Sequence, residues 1–91
     1  MSVFAVISTG NLDAIKTAIV AQYGANHCQF SPTSWFVPDS GTSKDVAEKL
    51  GITKGENGVL GVVLKVSGYS GRSAATTWTW LQGYPEATTN G

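Results

Sequence analysis

The densest set of ligand-binding groups in the chain is the run Gly68-Tyr-Ser-Gly-Arg-Ser73. Tyr69 offers a ring that can stack on a base, and Ser70 offers a hydroxyl. Arg72 is a planar fork suited to a phosphate or carboxylate. Its two glycines would let the backbone approach a ligand closely. The plain alternative is a polar connection whose arginine is merely solvated. A second group is Gly41-Thr-Ser-Lys44, where backbone amides at a helix start, two hydroxyls and Lys44 could receive an anion. It lacks the glycine and lysine spacing of a P-loop, and a capped helix with an exposed lysine explains it equally. Ser8 and Thr9 form a third group, at the end of the first apolar run.

Other chemistry is thinly represented. His27 and Cys28 are neighbours, but in a strand adjacent side chains point to opposite faces. Zinc would require three or four ligands, and these two residues have no companions at metal spacing. No metal site, cofactor or catalytic residue is therefore assigned. Trp35, Trp78 and Trp80 are a rich supply of tryptophan for a chain this short, and exposed tryptophans often mark interfaces. Trp35 equally suits a core or a dimer seam.

The 91 residues make one domain, taken as 1–85, followed by a tail at 86–91 expected to fray. An apolar fraction of 42% is that of a globular protein. Six basic residues balance six acidic ones, which argues against strong non-specific binding to nucleic acid. A single cysteine, Cys28, excludes an internal disulfide. The amino-terminal apolar run is too short for a signal peptide or a membrane span, so no membrane partner and a cytoplasmic location are expected.

These candidate groups hang on a simple alternation of elements. Val3-Phe-Ala-Val-Ile7 reads as a central strand. Asn11 then caps a helix in which Leu12, Ile15, Ile19 and Val20 recur at helical spacing, and Gly24 stops it. His27 to Phe30 and Trp35 to Val37 flank a polar break with Pro32 and read as a hairpin, with Pro38 ending its second strand. A lone strand preceded by a loop is the alternative. Thr42 or Ser43 caps a second helix that carries Val46 and Leu50 and stops at Gly51. Gly58 to Val66 has the densest β-branched content and reads as a strand buried on both faces. Residues 74–81 suit a short helix or an edge strand, with the helix favoured and Ser73 as its cap. As a helix it would set Trp78 and Trp80 about 200° apart, so that both could not point inward.

Strand, helix, hairpin, helix, strand is the order of the ferredoxin-like βαββαβ sandwich, an α+β fold. The first and last strands are expected to lie centrally and to run parallel. Their exit loops would then share one sheet end, where Ser8, Thr9, Tyr69, Ser70 and Arg72 converge. Ser34-Trp-Phe-Val37, a polar break, the stretch Thr42 to Leu50 and the hydrophobic strand ending at Gly68 resemble the small Cas2-like and SinR-like ferredoxin-fold proteins, over residues 3–68. That resemblance implies a homodimer and, in some members, nucleic-acid binding or metal-dependent nuclease activity. The nuclease depends on an acidic residue at the end of the first strand, where this chain has Ser8 and Thr9.

The resulting expectation is a non-catalytic, homodimeric binding or regulatory module for nucleic acid or a small phosphorylated ligand. Two alternatives of other classes stand beside it. One is a metal-dependent nuclease drawing on Asp13, Asp39 or Asp45. The other is a protein-interaction module using the tryptophan-rich carboxyl end.

Overall fold

The computed structural model of the protein describes residues 1–70 and 75–85. The elements follow in the order β1 (Ser2–Ser8), α1 (Leu12–Tyr23), β2 (Cys28–Ser31), β3 (Ser34–Asp39), α2 (Ser43–Leu50), a 3-10 turn (Glu56–Gly58), β4 (Gly61–Val66) and α3 (Ala75–Gln82). The four strands form one sheet in the order β2-β3-β1-β4, and every neighbouring pair is antiparallel. This is an α+β fold.

Local chemistry sets the helix ends. The Asn11 side chain accepts the Ala14 amide at 3.1 Å and opens α1. At α2 the Thr42 hydroxyl accepts the Asp45 amide while the Asp45 carboxylate accepts the Thr42 amide, a reciprocal capping box. Gly51 closes α2 at φ +82°, a left-handed conformation that glycine adopts without penalty. Its amide donates to the Glu48 carbonyl, and the Ile52 amide donates to Ala47. Ile52 then packs against the core.

Alternation along the strands divides the sheet into two unequal faces. Phe4, Val6, Trp35 and Val37 point to one side, where Ile15 and Ile19 of α1, Val46 and Leu50 of α2, and Val59 complete the main core. Leu12 and Val20, expected on the buried stripe of α1, are exposed. The opposite face carries Val3, Phe36 and Val66, and α3 lies across it through Leu81. The segment beginning at Ala75 is thus a helix, as favoured from its sequence.

Three expectations are corrected. The last strand is an edge strand, not a central one: β1 and β3 occupy the middle of the sheet. It is not buried on both faces either, since Val62, Leu64 and Lys65 are exposed. Finally, Pro38 does not end β3, which continues to Asp39. The Ser8 amide donates to the Thr33 carbonyl, so by antiparallel parity Trp35, Val37 and Asp39 turn their backbone groups toward β1. Pro38 turns its ring nitrogen toward the β2 side, where pairing has already ended at Cys28 opposite Phe36. The missing N–H therefore costs no ladder bond.

Gly61 is required where β4 meets β1. A Cβ there would lie 2.5 Å from the Ile7 carbonyl oxygen, which is backbone and cannot step aside. Gly61→Ala is expected to destabilise the fold by about 1–3 kcal/mol, read as a lower urea midpoint with an unchanged slope.

Candidate binding surface

The residues singled out in the sequence do not form one cluster. Ser8 and Thr9 end β1, where Ser8 pairs with Gly61 at the start of β4. Tyr69 and Ser70 follow the other end of β4, where Val66 pairs with Val3. The two groups are therefore separated by the length of β1, about 20 Å. The expected convergence fails because β1 and β4 run in opposite senses. The crossover through α2 returns the chain parallel to β3, and β3 is itself antiparallel to β1. Arg72 lies outside the described residues, as do the Ser73 cap and the tail at 86–91.

Ser8 and Thr9 are engaged in closing the upper end of the sheet. Ser8 is buried, and its hydroxyl accepts the Gly10 amide at 3.4 Å. The Thr9 amide donates to the Leu60 carbonyl at 2.9 Å. Lys44 sits in the first turn of α2, exposed, at the same sheet end as Tyr69. The anion cradle proposed around it already holds anions of the chain itself. The Gly41 amide donates to Asp39 at 2.7 Å and the Thr42 amide to Asp45 at 2.8 Å. These contacts with Thr42 hold the Asp45 carboxyl below its usual range.

Trp35 is a core residue, not an interface residue. It alternates with Phe36 and faces α1 and α2, fully buried. Trp78 and Trp80 behave differently from the expectation that one must point away. Thr77 and Leu81, one helical turn apart, are the buried line of α3. The two tryptophans lie on either flank of that line and straddle the sheet. Trp78 stacks on Tyr69 with ring centroids 5.5 Å apart. Trp80 lies over Phe36 at 6.2 Å and against Tyr84 at 4.6 Å, and Phe36 stacks on Phe30 at 4.0 Å. The Tyr84 hydroxyl reaches Asn26. This half-buried aromatic layer, with Phe30, Phe36 and Tyr84 as members, was not legible from single residues. Only the fold brings β2, β3, Tyr69 and α3 onto one face.

A polar knot was also missed. Asp39, one of the aspartates of the nuclease alternative, is buried at the end of β3. It accepts the Tyr23 hydroxyl and the Lys49 ammonium, each at 2.8 Å, besides the Gly41 amide. It thus ties α1, β3 and α2 together. Burial alone would lift the Asp39 carboxyl, but Lys49, the Gly41 amide and Tyr23 outweigh it and hold it below the usual range. Burial, and after it the contact with Asp39, push the Tyr23 hydroxyl far above its ordinary value. All of these donors are spent on one carboxylate, so the knot reads as structural.

His27 and Cys28 carry no assembled chemistry. The His27 Nδ1 lies 2.8 Å from the Gly24 carbonyl at the end of α1. Burial raises the Cys28 thiol above its ordinary value, against a smaller opposing effect from the Thr77 side chain, which is the reverse of an activated thiolate. Among the described residues no three histidines, cysteines or acids are grouped to hold a metal ion. A cleft of about 450 Å³ runs between α1 and α2, with Asp13, Glu48 and Glu56 around Ala14, Ala18 and Leu50. Of the residues chosen from the sequence, Asp13 of the nuclease alternative lines it, and the proposed ligand-binding residues do not. Among the described residues, no helix is long and apolar enough to cross a membrane.

No protein-family model, curated protein or solved structure matches the chain.

Proposed function

We propose that this chain is a small non-catalytic binding module of ferredoxin-like type, homodimeric, that recognises nucleic acid or a small phosphorylated ligand. The fold part is supported by the element order, the β2-β3-β1-β4 sheet and the placement of α1 and α2 on one face. The observation that carries the function is the stacked Tyr69–Trp78 pair where the chain leaves β4. It sits directly before a serine and, in sequence, an arginine. A partly exposed aromatic is what single-stranded nucleic acid uses for stacking, and an arginine close in sequence is the residue type that contacts its phosphates. The binding site is thereby reduced to Tyr69, Ser70 and Arg72, with Lys44 at the same sheet end. Ser8 and Thr9 of the same chain drop out of it.

The test is tryptophan emission during titration with a mixed-sequence single-stranded oligonucleotide. Saturable quenching is expected, weakened about tenfold by Tyr69→Ala, a loss typical of one stacked base. Arg72→Ala is expected to weaken binding and flatten its salt dependence. An unchanged spectrum, or equal affinity in both variants, overturns the reading.

A further inference from the structure

The two borders of the sheet are unlike. At one border, β2 spans four residues, is irregular between Gln29 and Ser31, and lies against α3. These are devices that stop a strand from recruiting another chain. At the other border, β4 is a regular six-residue strand without proline or bulge. Its parity is fixed by the Thr9 amide donating to Leu60. Leu60, Val62, Leu64 and Val66 therefore turn their backbone groups toward β1, and Gly61, Val63 and Lys65 turn theirs outward. On the face away from α1 and α2, Leu60, Val62 and Leu64 are 48%, 47% and 50% exposed. An apolar row along an open border is a surface without a partner among the described residues.

We propose that a second copy of this chain occupies that border, with β4 pairing antiparallel to β4 about a two-fold axis through Val63. The pairing deepens the homodimeric part of the reading above and rests on it. Self-complementarity selects this register. With Val63 opposite its own copy, Val62 falls opposite the copy's Leu64, and Leu60 opposite its Val66. Apolar side chains thus meet across a closely spaced pair on the exposed face. Lys65 falls opposite the copy's Gly61, which has no side chain to repel it. Centring the axis on Lys65 would instead set two like charges against each other, and centring it on Gly61 would leave Leu64 without an apolar partner. The pairs at Gly61, Val63 and Lys65 exchange backbone hydrogen bonds outward, so no internal ladder bond is lost.

The geometry has a consequence for ligand binding. Antiparallel pairing brings the Tyr69 end of one copy beside the Thr9 end of the other, about two strand spacings away, or about 10 Å. Thr9, at the opposite sheet end from Tyr69 within one chain, then lies at the same end of the joined sheet as the copy's Tyr69. The contact is a single strand pair, so a weak, concentration-dependent dimer is expected.

Sedimentation velocity over a concentration series, without added ligand, is the test. Wild type should pass from monomer to dimer. Val62→Lys with Leu64→Lys sets lysine opposite lysine twice and should weaken association more than tenfold. Val62→Lys with Leu64→Glu sets lysine opposite glutamate twice and should restore it. Both positions are exposed, so folding should survive, checked by circular dichroism. A dimer indifferent to the double lysine, or a lysine–glutamate protein as monomeric as the double lysine, overturns the pairing but leaves a homodimer of another geometry. A wild-type monomer at 1 mM overturns the homodimer as well. Oligonucleotide quenching measured on the double-lysine protein then reports on ligand binding separately.

Discussion

Trp35→Ala is expected to remove about 3–5 kcal/mol of stability, a large share of the roughly 5–14 kcal/mol typical of a chain this long. Trp35 is the largest side chain of the main core and touches the layer formed by Phe4, Val6, Val37 and the two helices. Removing it opens a cavity that sheet and helices cannot close together. The fitting measurement is urea unfolding followed by far-ultraviolet circular dichroism, since the tryptophan signal itself is altered. Trp35→Phe should cost less than half as much. The indole Nε1 is buried without a hydrogen-bond partner, so its loss surrenders no bond, and an unmade bond of this kind is itself costly. A shift below about 1 kcal/mol for the alanine variant would show that the residue is not in the core.

Asp39→Ala is expected to cost about 2–4 kcal/mol, because it strands a part-buried tyrosine hydroxyl, an amide and a lysine at once. Lys49 is half exposed and can turn to water, which keeps the loss below that of a fully buried pair. The effect depends on pH with a definite sign. The Asp39 carboxyl is held below its usual range in the folded state, so between its folded and unfolded values the unfolded chain binds more protons. Stability from this group is complete above about pH 4 and is lost as the pH falls through the folded value. On the alkaline side Tyr23 resists ionisation in the fold, so stability should fall as the pH rises past about 10. Thermal unfolding from pH 2 to 11 should show both limbs in wild type and a flattened acid limb in Asp39→Ala. Parallel acid limbs would remove Asp39 from the knot.

Elements that depend on near neighbours were readable from the chain. The Asn11 cap and the Gly24 and Gly51 stops are contacts within a few residues and stand where the sequence put them; of the two caps open for α2, Thr42 or Ser43, the fold uses Thr42, boxed with Asp45. What could not be read depends on which segments meet. The apolar row of β4 looks the same in sequence whether it is central or lies at a border half open to water. Pro38 breaks a strand only if its nitrogen faces a partner, which depends on where β2 stops. The Asp39 knot joins residues sixteen and ten positions apart, and no spacing marks it in advance. Helix angle alone sets Trp78 and Trp80 on different sides of α3. Two broad rings flanking a buried line can both rest on a flat sheet, and that outcome needs the sheet to be known.

The short, irregular outer border at β2 has a consequence for assembly size. A joined sheet built through β4 would terminate in β2 on both sides, and neither terminus can recruit another chain. Raising the concentration would then multiply pairs without lengthening them, and the solution would stay clear of filaments.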